Sequence, residues 1–112
     1  MALPEKIKVC GAEYTISCNS AKDEYLNAAA ILGECNYSTL AIAVKSTPHE
    51  TRKAQLLIHE LCHAILFATG LETNDIYNDE NLIRPLANAL WQVLKDNDFN
   101  WLREVANNEK MA

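Results

Sequence analysis

Residues 6 to 18 alternate apolar and polar around Gly11, with Ile7 and Val9 before it and Tyr14, Ile16 and Cys18 after it. A period of two on both sides of a turn residue predicts a β-hairpin. With Gly11-Ala12 as the turn, Cys10 lies opposite Glu13 and Cys18 opposite Glu5. From residue 20 to 31 the spacing changes to Tyr25, Leu26, Ala29 and Ala30, with Asp23 and Glu24 near the start. That pattern favours a short helix stopped by Gly33. Segments 34–37 and 40–44, separated by Ser38-Thr39, read as a second hairpin on the same sheet, the latter rich in aliphatic and β-branched residues.

The sharpest boundary comes next. Thr47 is placed as an N-cap, Pro48 suits the first helical position, and Glu50 stands where it completes a capping box. A helix is therefore expected from Pro48 through Leu56, Leu57, His59, His63 and Leu66 to a stop at Gly70, about 20 residues or ~30 Å long. Residues 71–81 hold Glu72, Asp75, Asp79 and Glu80 with no basic residue, and read as an acidic loop. Residues 82–95 are periodic again through Leu82, Leu86, Leu90, Val93 and Leu94, with Pro85 restricting where regular helix begins. After Asp96-Asn97-Asp98, the spacing of Phe99, Trp101, Leu102 and Val105 predicts a last amphipathic helix packed on the core, where Trp91 and Trp101 also fit. The sum is an α+β fold, a small antiparallel sheet on a central helix with two or three further helices, in one domain spanning residues 1–112.

Composition narrows the function. Ten basic residues against 15 acidic ones give a formal charge of −5, so no basic surface is available to offset a phosphate backbone, and nucleic acid is not the expected partner. The longest apolar runs, 28–32 and 64–68, fall far short of the roughly 20 residues that span a bilayer. No basic stretch followed by an apolar core appears in residues 1–20, so a soluble, cytoplasmic protein is expected. Cys10, Cys18, Cys35 and Cys62 contain no CxxC pair and read as reduced, mostly buried thiols.

The chemistry lies in His59-Glu60-Leu61-Cys62-His63. Residues i and i+4 stand one above the other on a helix, so both imidazoles reach a single zinc ion. Glu60 projects about 100° from His59, where it meets a metal-bound water without ligating the metal. A chance His-Glu-x-x-His in a chain of this composition is on the order of one in a hundred, and its place in the middle of the best-marked helix strengthens it.

His59-Glu60-Leu61-Cys62-His63-Ala64-Ile65-Leu66, a short acidic loop, then Leu86-Ala87-Asn88-Ala89-Leu90 with Gln92-Val93-Leu94 resemble the small zincin-like metallopeptidases of phages and mobile elements, distant relatives of the ImmA/IrrE group. The resemblance covers most of the chain, since those proteins also open with a β-hairpin and a strand before the motif helix. It implies a zinc site with His59 and His63 as ligands, Glu60 as general base, and a third, acidic ligand from the next helix. That acid usually stands four residues before the Asn of the Ala-Asn pair, and here the position is Arg84.

Another carboxylate must then complete the three-ligand set of a catalytic zinc. Glu80, one turn before Arg84, is the first candidate, Asp79 the second and Asp75 the third. The competing role for Glu80 is a surface i,i+4 pair with Arg84. Arg84 itself would be repelled by the metal unless a carboxylate lies between them. His49, ~15 Å before His59 on the same rod, is expected in solvent, and Cys62 is expected to be a core thiol rather than a ligand.

The function expected is a zinc-dependent metallopeptidase acting on a peptide or protein substrate, bound by strand addition along segment 40–44. Zinc would lower the pKa of its bound water to about 7, while Glu60 takes the proton and returns it to the leaving amine. Arg84 motivates an alternative, a catalytically inactive zincin scaffold that binds a partner. A zinc hydrolase of a non-peptide amide is a third option. Two imidazoles and a carboxylate favour zinc, though iron, nickel, cobalt or copper accept the same donors.

Overall fold

A computed structural model describes residues 3–69 and 75–111. The first hairpin joins β1 (Lys6–Val9) to β2 (Ala12–Ser17) with Val9 paired to Ala12 and Lys6 to Thr15. Its turn is Cys10-Gly11 rather than Gly11-Ala12. Both turn residues have positive φ, 50° and 88°, the mirror-image geometry that matches the twist of the flanking strands.

Helix α1 (Ser20–Ala28) is capped by Asn19, whose side chain accepts from the Lys22 amide. It ends earlier than residue 31, because Ala30 takes a φ of 57° and the Ile31 amide bonds back to Leu26. That is a left-handed stop made by alanine, and Gly33 instead opens β3 (Gly33–Asn36). Strand β4 (Ala41–Val44) pairs antiparallel with β3, as the second hairpin requires, with Gly33 opposite Val44.

The sheet order is β1-β2-β4-β3, and β2 and β4 run parallel. The fold is α+β as expected, but the sheet is mixed rather than wholly antiparallel. Strand β4 lies inside it, so segment 40–44 cannot offer the free edge assigned to it. On the side of the second hairpin that edge is β3.

Helix α2 (Glu50–Ala68) crosses the sheet. The Thr47–Glu50 capping box does not form: His49 is the N-cap, and its Nδ1 accepts from the Thr51 amide at 3.2 Å. Toward the sheet α2 buries Leu56, Leu57 and Ala64 against Val9, Tyr14, Ile16, Ile42 and Val44. Its other side carries Cys62 against Ile83 and Ala87 of α3 (Glu80–Asp96). The expected stop Gly70 and the first residues of the acidic loop, 71–74, lie outside the described residues. Beyond them the chain makes a 3-10 turn, Ile76–Asn78, and reaches Asp79, whose side chain accepts from the Asn81 amide as the α3 N-cap. Pro85 falls in the second turn of α3, where the lost N–H frees only the exposed Asn81 carbonyl.

Helix α4 (Asn100–Met111) forms but does not pack on the core. Trp101 is 59% exposed, Leu102 50% and Val105 56%, so the core positions expected for them are not taken. Trp91 is half-buried. All four cysteines are free, with Cys62 alone buried, Cys18 and Cys35 half-buried and Cys10 exposed. Among the described residues no helix is long and apolar enough to cross a membrane.

Candidate metal centre

Helical periodicity puts His59 and His63 on one face of α2, and the fold brings the first turn of α3 up to that face. His59 Nε2 lies 3.1 Å from Glu80 Oε2, His63 Nε2 lies 2.8 Å from Glu80 Oε1, and the two Nε2 atoms are 3.3 Å apart. These three residues form the single group of potential ligands among the described residues whose donor atoms all converge, within 4.8 Å of one another. Of the three acids considered, Glu80 therefore reaches the histidines. Asp79 is engaged in capping α3, and Asp75 is exposed with a φ of 56°.

Glu80 also meets Arg84, whose Nε lies 3.3 Å from its Oε2. Both roles considered for Glu80 thus coexist, and its carboxylate stands between the guanidinium and the imidazoles. The ion-pair partner of Arg84 is Glu80, not Glu60. Partial burial works to raise the Glu80 pKa, but His59, His63 and hydrogen bonds from His59 and Arg84 outweigh it and hold the carboxyl below its ordinary value. Burial lowers the His59 pKa, against an opposing pull from Glu80.

The orientation of His63 is set from behind. Tyr37 stacks on Phe67 at 4.4 Å, and Tyr77 packs edge-on against both rings at 5.1 and 5.3 Å. That aromatic cluster pins the 3-10 turn to α2 and delivers the Tyr77 carbonyl to His63 Nδ1. A carbonyl only accepts, so His63 Nδ1 carries the hydrogen. In the neutral ring, Nε2 then presents a bare lone pair toward Glu80 and His59. Nothing in the sequence pattern marks Tyr77, because the atom that matters is a backbone oxygen.

Glu60, next in the motif, borders the same cleft from the side of β3. It is 7% exposed, and burial, with Glu80 and Glu34 adding, pushes its pKa up to about 8. It is held at close quarters: a Cβ on Gly33 would lie 3.0 Å from Glu60 Oε2 and 3.2 Å from the Ala43 carbonyl. The residue read as a helix stop is thus the spot where a side chain on β3 would press on Glu60. A cleft of ≈ 520 Å³ opens over the site, lined by residues 30–33 leading into β3, by Arg52, His59, Glu60 and His63 of α2, and by Glu80, Arg84 and Asn88 of α3.

The remaining candidates take bland places. His49 is exposed. Cys62 is 2% exposed in the α2–α3 core, and burial raises its pKa. Cys35, beside Glu60, is pushed up to about 12 by burial and then by the Glu60 and Glu34 charges, and it is not among the converging donors. No protein-family model, curated protein or solved structure matches the chain, so the reading of this site rests on its geometry.

Proposed function

We propose that this chain is a zinc-dependent metallopeptidase, with His59, His63 and Glu80 as ligands and Glu60 as general base. The observation that carries the reading is the convergence of the His63 lone pair, the His59 Nε2 and the Glu80 carboxylate on one point. Three groups with donor electron pairs do not hold such an arrangement without a proton or a cation between them. Tetrahedral bonds of 2.0–2.1 Å place ligand atoms about 3.3–3.4 Å apart. The separations of 3.1 and 3.3 Å come within about 0.3 Å of that, and the third, 2.8 Å to the other Glu80 oxygen, is about half an ångström shorter. The His63–carbonyl contact is the kind of outer bond that fixes a ligating imidazole.

When bound, the metal supplies an acidified water and polarises a carbonyl. The chain's own residues do the rest. Glu60, buried beside the ligands, would be drawn to its ionised form by the metal's positive charge, against the burial that raises its pKa. In that form it takes the proton from the attacking water and passes it to the departing amine nitrogen. Glu80 neutralises part of the metal charge and keeps Arg84 from facing it. The outer edge of β3, continuous with the cleft wall at residues 30–33, suits an extended peptide joined by main-chain hydrogen bonds. Four free thiols suit a reducing compartment such as the cytoplasm. Arg84, which motivated the inactive-scaffold alternative, does not fill the pocket by pairing with Glu60, so that reading has no observation in its favour.

Metal content and hydrolysis test the proposal together. Purified, untagged protein should carry about one zinc per chain, lost in His59→Ala and in Glu80→Ala. Glu60→Gln should keep the zinc and lose roughly 10²- to 10⁴-fold of its cleavage of fluorescent casein. Absence of metal in the wild type after zinc is added back overturns the metallopeptidase. Full activity in Glu60→Gln overturns the assigned base.

A further inference from the structure

Helix α3 is apolar on two neighbouring stripes. One, with Ile83, Ala87 and Leu90, packs on α2. The other recurs at i, i+4, i+7 and i+11 as Leu82, Leu86, Ala89 and Val93, the repeat of a second helix-packing face. None of the described residues covers it: Leu82 is 41% exposed, Leu86 43% and Val93 49%, and Ala89 is also exposed.

Helix α4 is in the same position from the other side. Asn97 leaves α3 in extended backbone, with φ −132° and ψ 157°, and α4 does not turn back along α3. From Asn100 to Glu109 every side chain is exposed except the half-buried Ala106. Trp101, Leu102 and Val105 nevertheless form an apolar face at helical spacing. A helix of 12 residues is marginal in water without a partner for such a face.

From these two uncovered faces on one chain, we infer that the protein forms a symmetric dimer in which α4 of each copy lies along the outer α3 stripe of the other. The lengths match: the stripe from Leu82 to Val93 runs ~17 Å and α4 ~18 Å at 1.5 Å per residue. The areas suffice. Six half-exposed side chains hold on the order of 500 Å² of apolar surface per chain, which doubles to about the 1,000 Å² a specific interface needs. The charges permit it, since α4 carries Arg103 and Lys110 against Glu104 and Glu109 and is neutral where the whole chain is not. Reciprocal use of the same two faces closes the assembly at two copies. The inference does not depend on the metal or on peptidase activity.

Sedimentation equilibrium of the full chain from about 1 to 100 μM reads it directly. The expected mass is twice the 12.5 kDa of one chain, and Trp101→Glu and Leu86→Glu should each weaken association at least tenfold. Both positions are exposed, so far-ultraviolet circular dichroism should be unchanged and separates lost association from lost fold. A wild-type monomer throughout, as an intramolecular cover or a different protein partner would give, overturns the inference. So does a dimer that survives either substitution in the folded protein, because the pairing requires both faces.

Discussion

Helices α2 and α4 are both amphipathic, yet they end in opposite states. In α2 every face has a use: Leu57 and Ala64 meet the sheet, Cys62 meets α3, His63 is buried against the Tyr77 carbonyl, and Glu60 is buried where α2 passes Gly33 of β3. In α4 the apolar residues face solvent. The difference teaches that amphipathic spacing says a face will be covered without saying by what. Helix α2 has a sheet in its own chain, whereas α4 finds no such surface among the described residues.

The largest expected effect tests that contrast head on. Ile42, 0% exposed beneath α2, should cost about 2–5 kcal/mol when truncated to alanine. Leu102→Ala, 50% exposed on α4, should change the stability of dilute protein by no more than about 0.5 kcal/mol. Urea unfolding of the two variants measures both. A comparable loss at Leu102 would mean that α4 is packed on its own core after all.

Legibility in the sequence divides along the same line. Local signals are readable: the two hairpins and the motif helix come from periodicity within short segments, whereas Glu80 is one of three candidate acids, singled out only because the family resemblance calls for an acid near Arg84. Non-local facts are not. The partner of β2 is β4, 26 residues on, and only the unbroken apolar run Ala41-Ile42-Ala43-Val44 hints that this strand is buried inside the sheet. The N-cap is His49 rather than Thr47, and the chain before it is tied through Ser46 to Asp23 of α1, a contact that no local pattern encodes. Spacing alone assigns Trp101 and Val105 to the core, and spacing does not say whether a surface is there to receive them.

A smaller change sharpens the boundary between packing and chemistry inside the α2 region. In Gly33→Ala the new methyl meets Glu60 Oε2 at 3.0 Å and the Ala43 carbonyl at 3.2 Å. The side chain can move and the backbone oxygen of a central strand cannot, so Glu60 should be displaced, at about 1–3 kcal/mol in stability. Zinc content should stay at the wild-type level, because Glu60 is not a proposed ligand, while cleavage falls. Loss of zinc together with activity would make Glu60 part of the metal's support and break the proposed separation of roles.

The smallest effect is electrostatic and lies where α1 meets the entrance to α2. The Asp23 carboxylate accepts from the Ser46 amide at 2.7 Å and from the Ser46 hydroxyl. These bonds, the hydroxyl first, hold its pKa below the ordinary 3.8. A carboxyl depressed in the folded state stabilises the fold fully above its unfolded pKa, and that contribution disappears as pH falls through the folded value. Asp23→Asn keeps an acceptor oxygen but not the charge, so the variant should be less stable than wild type at pH 7, by less than Ile42→Ala or Gly33→Ala. The gap should narrow as pH drops below about 4, which urea midpoints at several pH values would show. A gap that stays constant down to full protonation would mean that Asp23 ties α1 to the chain before α2 by shape alone, and that its charge adds nothing to the better-packed half of the molecule.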